Sequence, residues 1–184
     1  MSTSLIVVIV VAIILVLMYN SLVGKKNQVE NIFASVDTQL KKRYDLIPNL
    51  VSSVSKYMEH EKGLLEEVTK LRSDANKPNI SDEQKIALDA KLSAALGSIM
   101  IAVENYPDLK ANENVMHLQR TLNEVEEQIS AARRAYNQAV TDYNNALEQI
   151  PTNFMASAMA YKRKKVFEIV EDERKNVNVK ELFN

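Results

Sequence analysis

The residues able to do chemistry are few and scattered. His60 lies between Glu59 and Glu61 in "MEHEK", the densest group of metal- or proton-binding side chains in the sequence. Neighbouring residues of a helix point about 100° apart, whereas ligands on one helix need a spacing of three or four. These three therefore read as solvated surface groups, although His117 could approach from another helix. Glu61 falls on an apolar stripe between Tyr57 and Leu64, and is expected at the stripe's edge beside a basic neighbour. With no cysteine, no Gly-rich phosphate loop and no nucleophile elbow, the sequence offers no thiolate, disulfide or Cys-ligated zinc. Neither an enzyme nor a cofactor is expected.

Two further groups suggest binding. Tyr136-Asn137 and Tyr143-Asn144 stand seven residues apart, hence on one helix face. They are either core tyrosines with flanking amides or a self-association seam. In "NFMASAMAYKRKK", Phe154, Met155, Met159 and Tyr161 precede Lys162, Arg163, Lys164 and Lys165. That segment is either a solvated tail or a lipid contact on an anionic leaflet. The overall formal charge is −1, from 23 basic and 24 acidic residues, so no global field attracts nucleic acid.

The elements that carry these residues are helical. Only three Gly and four Pro in 184 residues, with 46% hydrophobic residues, indicate an all-α chain. Every residue from Leu5 to Met18 is apolar, and the run extends through "YNSLV" to Val23. A bilayer span needs about 20 residues. Tyr19 then serves as an interfacial aromatic, with Lys25 and Lys26 at the membrane edge. "MSTS" has no basic n-region and no small-x-small site precedes Tyr19, which favours a retained anchor over a cleaved signal. Positive charge follows the span and none precedes it, so the N-terminus is expected outside and the body in the cytoplasm. The expected organisation is an anchor over residues 1–24, a helical bundle over 25–150 and a tail over 151–184.

Four apolar stripes at spacings of three and four follow the anchor. They begin at Val29, Leu50, Leu92 and Val115, and the last runs without a miss to Ile150 with a coiled-coil-like seam. Ser81 with Gln84 makes a capping box, Asn112 is a good N-cap, and Pro151 closes the last helix. Pro48, in "RYDLIPNLV", is the awkward position. The other three prolines lie in or beside predicted loops, which argues for a boundary capped by Asp45 and restarting at Pro48-Asn49. Val36, Leu40, Ile47 and Leu50 nevertheless hold near-helical phase across it. A proline in a helix interior costs about 3 kcal/mol and removes a hydrogen bond, so continuity demands a compensating partner. Helix lengths favour the break and an antiparallel up-and-down bundle of four helices, or three if the helix continues.

Several motifs, in order, resemble the LemA family of bacterial membrane proteins: "YNSLV" after one span, "RYDLIPNLV", "HEK", "YPDLKANENVMHLQ" and "ARRAYNQAVTDYN". Family members often carry Arg-Arg-Ala before the Asp where this chain has Arg43 and Tyr44. The resemblance runs from about residue 5 to 150 and weakens after Pro151. It implies a single-pass membrane protein with a cytosolic helical bundle, no catalytic residues, and a part in membrane biogenesis or remodelling. Residues and resemblance together predict a non-catalytic, membrane-anchored and self-associating scaffold in the bacterial inner membrane. An adaptor that presents membrane clients to another machine, such as a protease, is the alternative. Expected partners are membrane lipid, a second copy of the chain and an unidentified protein.

Overall fold

The computed structural model describes residues 2–167, in which every regular element is a helix and no two segments pair as a β-sheet. In chain order these are α1 (Thr3–Val54), α2 (Lys62–Ala75), α3 (Asp82–Val103), the single turn α4 (Pro107–Lys110), α5 (Glu113–Glu148) and α6 (Thr152–Ala158). Leu5 to Leu17 of α1 are exposed throughout, an apolar sleeve with no protein partner. From Leu22 onward the same helix turns a buried face inward: Val29, Phe33, Val36, Leu40, Ile47, Leu50 and Val54. Anchor and bundle thus share one uninterrupted helix.

The expected break at Asp45 to Asn49 does not occur. Pro48 lies inside α1 on its exposed side, and Asp45 accepts from Lys41 one turn earlier at 3.2 Å instead of capping a new helix. The missing Pro48 N–H would leave the carbonyl of Tyr44, four residues back, without its helical donor. Arg72 of α2 fills that position, its Nε donating to the Tyr44 carbonyl at 2.7 Å. Continuity of the apolar stripe across Pro48 was the correct guide, and the compensating donor comes from a neighbouring helix.

The turn instead falls at Ser55 to Glu61, inside the stretch expected to be helical from residue 49 to 72. Met58 is fully buried there and plugs the end of the bundle. Even so, the count of four long helices holds. Lys85 to Asp37 at 2.6 Å and Arg43 to Ser93 at 2.9 Å run α3 alongside α1 in the same direction. Arg72 against Tyr44 brings α2 back down, and Tyr136 against Phe33 (ring centroids 5.5 Å apart) does the same for α5. The result is an antiparallel up-and-down bundle.

Lengths now match as well. α5, at about 54 Å, pairs with the stretch of α1 from Leu22 to Val54, about 50 Å. Both ends of α5 are satisfied locally. Asn112 Oδ1 accepts from the amides of Asn114 and Val115, and the Thr152 hydroxyl lies 2.6 Å from the Ala146 carbonyl. The predicted capping box is present too: the Gln84 amide donates to Ser81 Oγ at 3.2 Å and the Ser81 amide to Gln84 Oε1 at 3.0 Å.

Replacing Arg72 with Ala should destabilise the protein by about 1.5–3 kcal/mol, the range for a hydrogen bond to a charged group. In a Pro48→Ala background, where residue 48 supplies its own N–H to Tyr44, the same replacement should cost clearly less. Thermal melts of the four proteins in detergent, followed by circular dichroism, give the coupling; additive effects would show that Arg72 does not compensate for the proline.

Candidate functional site

The first charged constellation lies in the core, at a place where the sequence suggested none. Arg43 of α1 and Asp89 of α3 are each 1% exposed and form an ion pair. Arg43 also pairs with Glu126 of α5 and donates to Ser93 Oγ at 2.9 Å. Arg133 of α5 closes the ring, pairing with Asp89 and standing 3.7 Å from Glu126. Two guanidinium groups and two carboxylates therefore alternate across three helices, with formal charge balanced. Burial pulls the Arg43 pKa down, and the adjacent Glu126 carboxylate opposes that shift. Arg43 and Asp89 are enclosed, while the Glu126 and Arg133 side chains keep 44% and 25% of their surface exposed. The ring's chemistry is to hold three helices in one register, because any slip strands a desolvated charge.

The two Tyr-Asn pairs divide their labour. Tyr136 and Tyr143 are buried within the chain itself. Tyr136 packs against Phe33 and Phe167, and Tyr143 against Tyr161. Their rings are thus occupied by intramolecular partners, as in the core reading of these pairs. The amides beside them clamp an extended strand that follows α6. Asn144 donates to the Lys164 carbonyl at 2.9 Å and accepts from the Lys164 amide at 3.0 Å. Asn137 does the same with Phe167, at 2.9 and 2.7 Å. The Tyr143 hydroxyl adds a donor to the Lys162 carbonyl at 3.2 Å.

This strand reverses at Ala160, whose φ of 53° closes α6. The Tyr161 amide donates to Ala156 O, and the Ala160 amide to Ser157 O, both at 3.1 Å. The basic residues are therefore held on the bundle. Lys162, Arg163 and Lys165 are exposed and Lys164 is half-buried. Arg163 pairs with Glu148, and Lys164 stands 4.0 Å from Glu30. Lys26 lies 5.9 Å from the Tyr161 ring centroid and Ala156 packs on Leu22, so the cluster sits at the membrane-proximal end of the bundle. Residues 168–184 of the expected tail lie outside the described residues.

Among the remaining sequence candidates, His60 and Glu59 are exposed, and no group of three potential ligands is brought together among the described residues. Glu61 accepts from the Tyr106 hydroxyl at 2.6 Å, so its partner is a phenol and not the basic side chain expected. Tyr19 is exposed on the apolar sleeve, with Lys25 and Lys26 half-buried just beyond it.

Replacing Arg43 with Met should destabilise the fold by about 3–5 kcal/mol, because Asp89 would remain buried with half its compensation gone. Adding Asp89→Leu, so that both members of the buried pair become apolar, should recover part of that loss in thermal melts. A second expectation concerns alkali. Burial, reinforced by Asp82 and Glu83, pushes the Tyr136 hydroxyl up to about 12 from an ordinary value near 10. A raised phenol pKa favours the folded state below pH ~10, and this contribution disappears as pH rises toward 12. Ultraviolet titration of the Tyr136→Phe protein should lack the latest-titrating step.

The LemA family model matches residues 32–180, which carries the match well beyond Pro151. Protein LemA of Metamycoplasma hominis is 25% identical over 165 residues, covering 90% of this chain and 75% of that protein. Magnetosome protein MamQ 2 of Paramagnetospirillum magneticum is 31% identical over 83 residues, 45% of this chain but only 30% of its own length. Magnetosome protein MamQ of Magnetospirillum gryphiswaldense is 28% identical over 82 residues, with the same coverage. The chain belongs to the LemA family.

Proposed function

We propose that this protein is a non-catalytic, membrane-anchored scaffold that holds a rigid helical bundle at a fixed height and orientation above a bilayer. The observation that carries this reading is the continuity of α1. The apolar sleeve and the inner face of the bundle lie on one 52-residue helix, with no loop between them. A hinged tether would let the bundle swing; an unbroken helix transmits the orientation of the span to the far end. Residues Lys25, Lys26, Lys41, Lys42 and Arg43 follow the sleeve, which supports a cytoplasmic bundle anchored in the inner membrane.

The far end is suited to assembly. Ile101 is 73% exposed and Tyr57 is also exposed. Val51, Leu65 and Thr69 separately line an open groove of 530 Å³ between α1 and α2. A second copy of the chain meeting its neighbour here would make a self-associating scaffold in membrane organisation or remodelling. The same groove also favours a second reading, in which it receives a client or partner helix and the protein acts as an adaptor.

Cross-linking in native membranes, followed by purification in mild detergent, separates the two. A scaffold should yield ladders of the chain itself, and an adaptor one recurrent heterologous partner lost on blocking the groove with Thr69→Arg. A chain that stays monomeric and unaccompanied would overturn both.

A further inference from the structure

The corner where α5 meets α6 exposes its largest apolar side chains at the end of the bundle nearest the span. Ile150 is 79% and Phe154 69% exposed. Their depth follows from the antiparallel pairing of α1 and α5. Ala146 and Ala156 pack on Leu22, the last buried residue before the exposed sleeve. Ile150 lies four residues further along the chain than Ala146. α5 ends two residues past Ala146, at Glu148, about 3 Å beyond Leu22 toward the sleeve, and Ile150 lies in the turn that follows, before α6 returns to Leu22 at Ala156.

Charge changes sign of purpose a turn or two above that level. Lys25 and Lys26 lie three and four residues past Leu22, about 5–6 Å along α1. The clamped strand places Arg163, Lys164 and Lys165 around a cleft of 340 Å³ against Thr141 and Asn145 of α5. Thr141 and Asn145 precede Ala146, so the cleft stands on the bundle side of Leu22. The polar layer of a bilayer occupies about 5–8 Å on each side of a hydrocarbon core about 30 Å thick. Among the described residues, Glu30 and Glu148 are the two carboxylates within ion-pair distance of the six cations Lys25, Lys26, Lys162, Arg163, Lys164 and Lys165, which leaves positive charge in excess there.

We infer that this corner is a second membrane contact: Ile150 and Phe154 enter the acyl boundary of the bundle-side leaflet while the basic strand binds the phosphates of its anionic lipids. The inference rests on reading the N-terminal sleeve as a bilayer span, and extends it. Because α1 is unbroken the bundle moves only with its span, but that single helix can still tilt in the bilayer and rotate about its own axis. Contact at a second point, at the α5–α6 corner beside α1, restrains both, and the contact becomes sensitive to leaflet charge.

The chain has no cysteine, so single labels can be placed without removing any. Full-length Ile150→Cys, Phe154→Cys, Val11→Cys and Ile101→Cys proteins, each carrying a bimane, would be reconstituted in vesicles of phosphatidylcholine and phosphatidylglycerol with brominated acyl chains. Quenching at 150 and 154 should be comparable with that at 11 in the sleeve and several-fold greater than at 101. Neutralising Lys162 and Lys165 to Gln, the two strand cations without an ion-pair partner among the described residues, should reduce the docked population roughly fivefold per charge. Replacing phosphatidylglycerol with phosphatidylcholine should act in the same direction. Labels at 150 and 154 as weakly quenched as 101, with 11 strongly quenched, would overturn the second contact and leave the span intact. Weak quenching at 11 as well would remove the span, and the inference with it. Equal quenching at 154 with and without anionic lipid would overturn the phosphate contact.

Discussion

The arrangement of this protein turns on a cation that has no water. Arg43 projects from the long first helix into the centre of the bundle, where Asp89 and Glu126 reach it from two other helices. A desolvated guanidinium tolerates little displacement, because losing a carboxylate costs far more than losing an apolar contact of similar size. The pairing consequently limits how α1, α3 and α5 can slide or rotate against one another. The apolar stripes supply most of the driving force for association, since burial is favourable in many registers. The ion pairs discriminate among those registers, a role familiar for polar groups placed at otherwise apolar helical seams.

Around this point the first helix performs two tasks that often fall to separate elements. Its first third is matched to lipid and the rest to protein, with the change from one solvent to the other made at Leu22. The α2 and α3 hairpin does not descend to that level, since Lys85, three residues into α3, already pairs with Asp37. Below it, the extended strand after α6 takes the third place beside α1 and α5, with Phe167 packed on Tyr136. The bundle is therefore four helices at its far end, α1 and α5 with the clamped segment below them, and α1, α5 and the short α6 where it meets the sleeve.

Local signals carried much of this into the sequence. The capping box at Ser81 and Gln84, the Asn112 cap and the stripe from Val115 onward involve residues within a few positions of each other, and all were readable. The joint at Pro48 was misplaced because the group that makes it tolerable, Arg72, lies 28 residues beyond the Tyr44 carbonyl it binds and reads in isolation as an ordinary surface arginine. The true turn at Ser55 to Glu61 contains neither glycine nor proline; the one trace it left was the interruption of the second stripe at Glu61. Arg43 and Asp89 were visible in principle, since each falls in phase with apolar neighbours, Leu40 with Ile47 and Leu92 with Leu96. Charged residues at such positions are usually solvated, and only three-dimensional proximity shows that these are not. The docked strand was hidden most completely, because Asn137 and Asn144 bind its backbone, which has no side-chain signature.

Those two asparagines impose a metric relation between unlike structures. Seven residues of helix advance about 10.5 Å, and three residues of extended chain about 10 Å. Asn137 and Asn144 are seven apart, and the residues they grip, Phe167 and Lys164, are three apart. The two repeats are commensurate, so a rod of one pitch serves as a ruler for a ribbon of another. A single residue inserted or deleted between Lys164 and Phe167 would put the ribbon out of step with the rod by about 3.3 Å and turn alternate side chains to the opposite side. The segment therefore has a length that is specified even where its composition is free to vary.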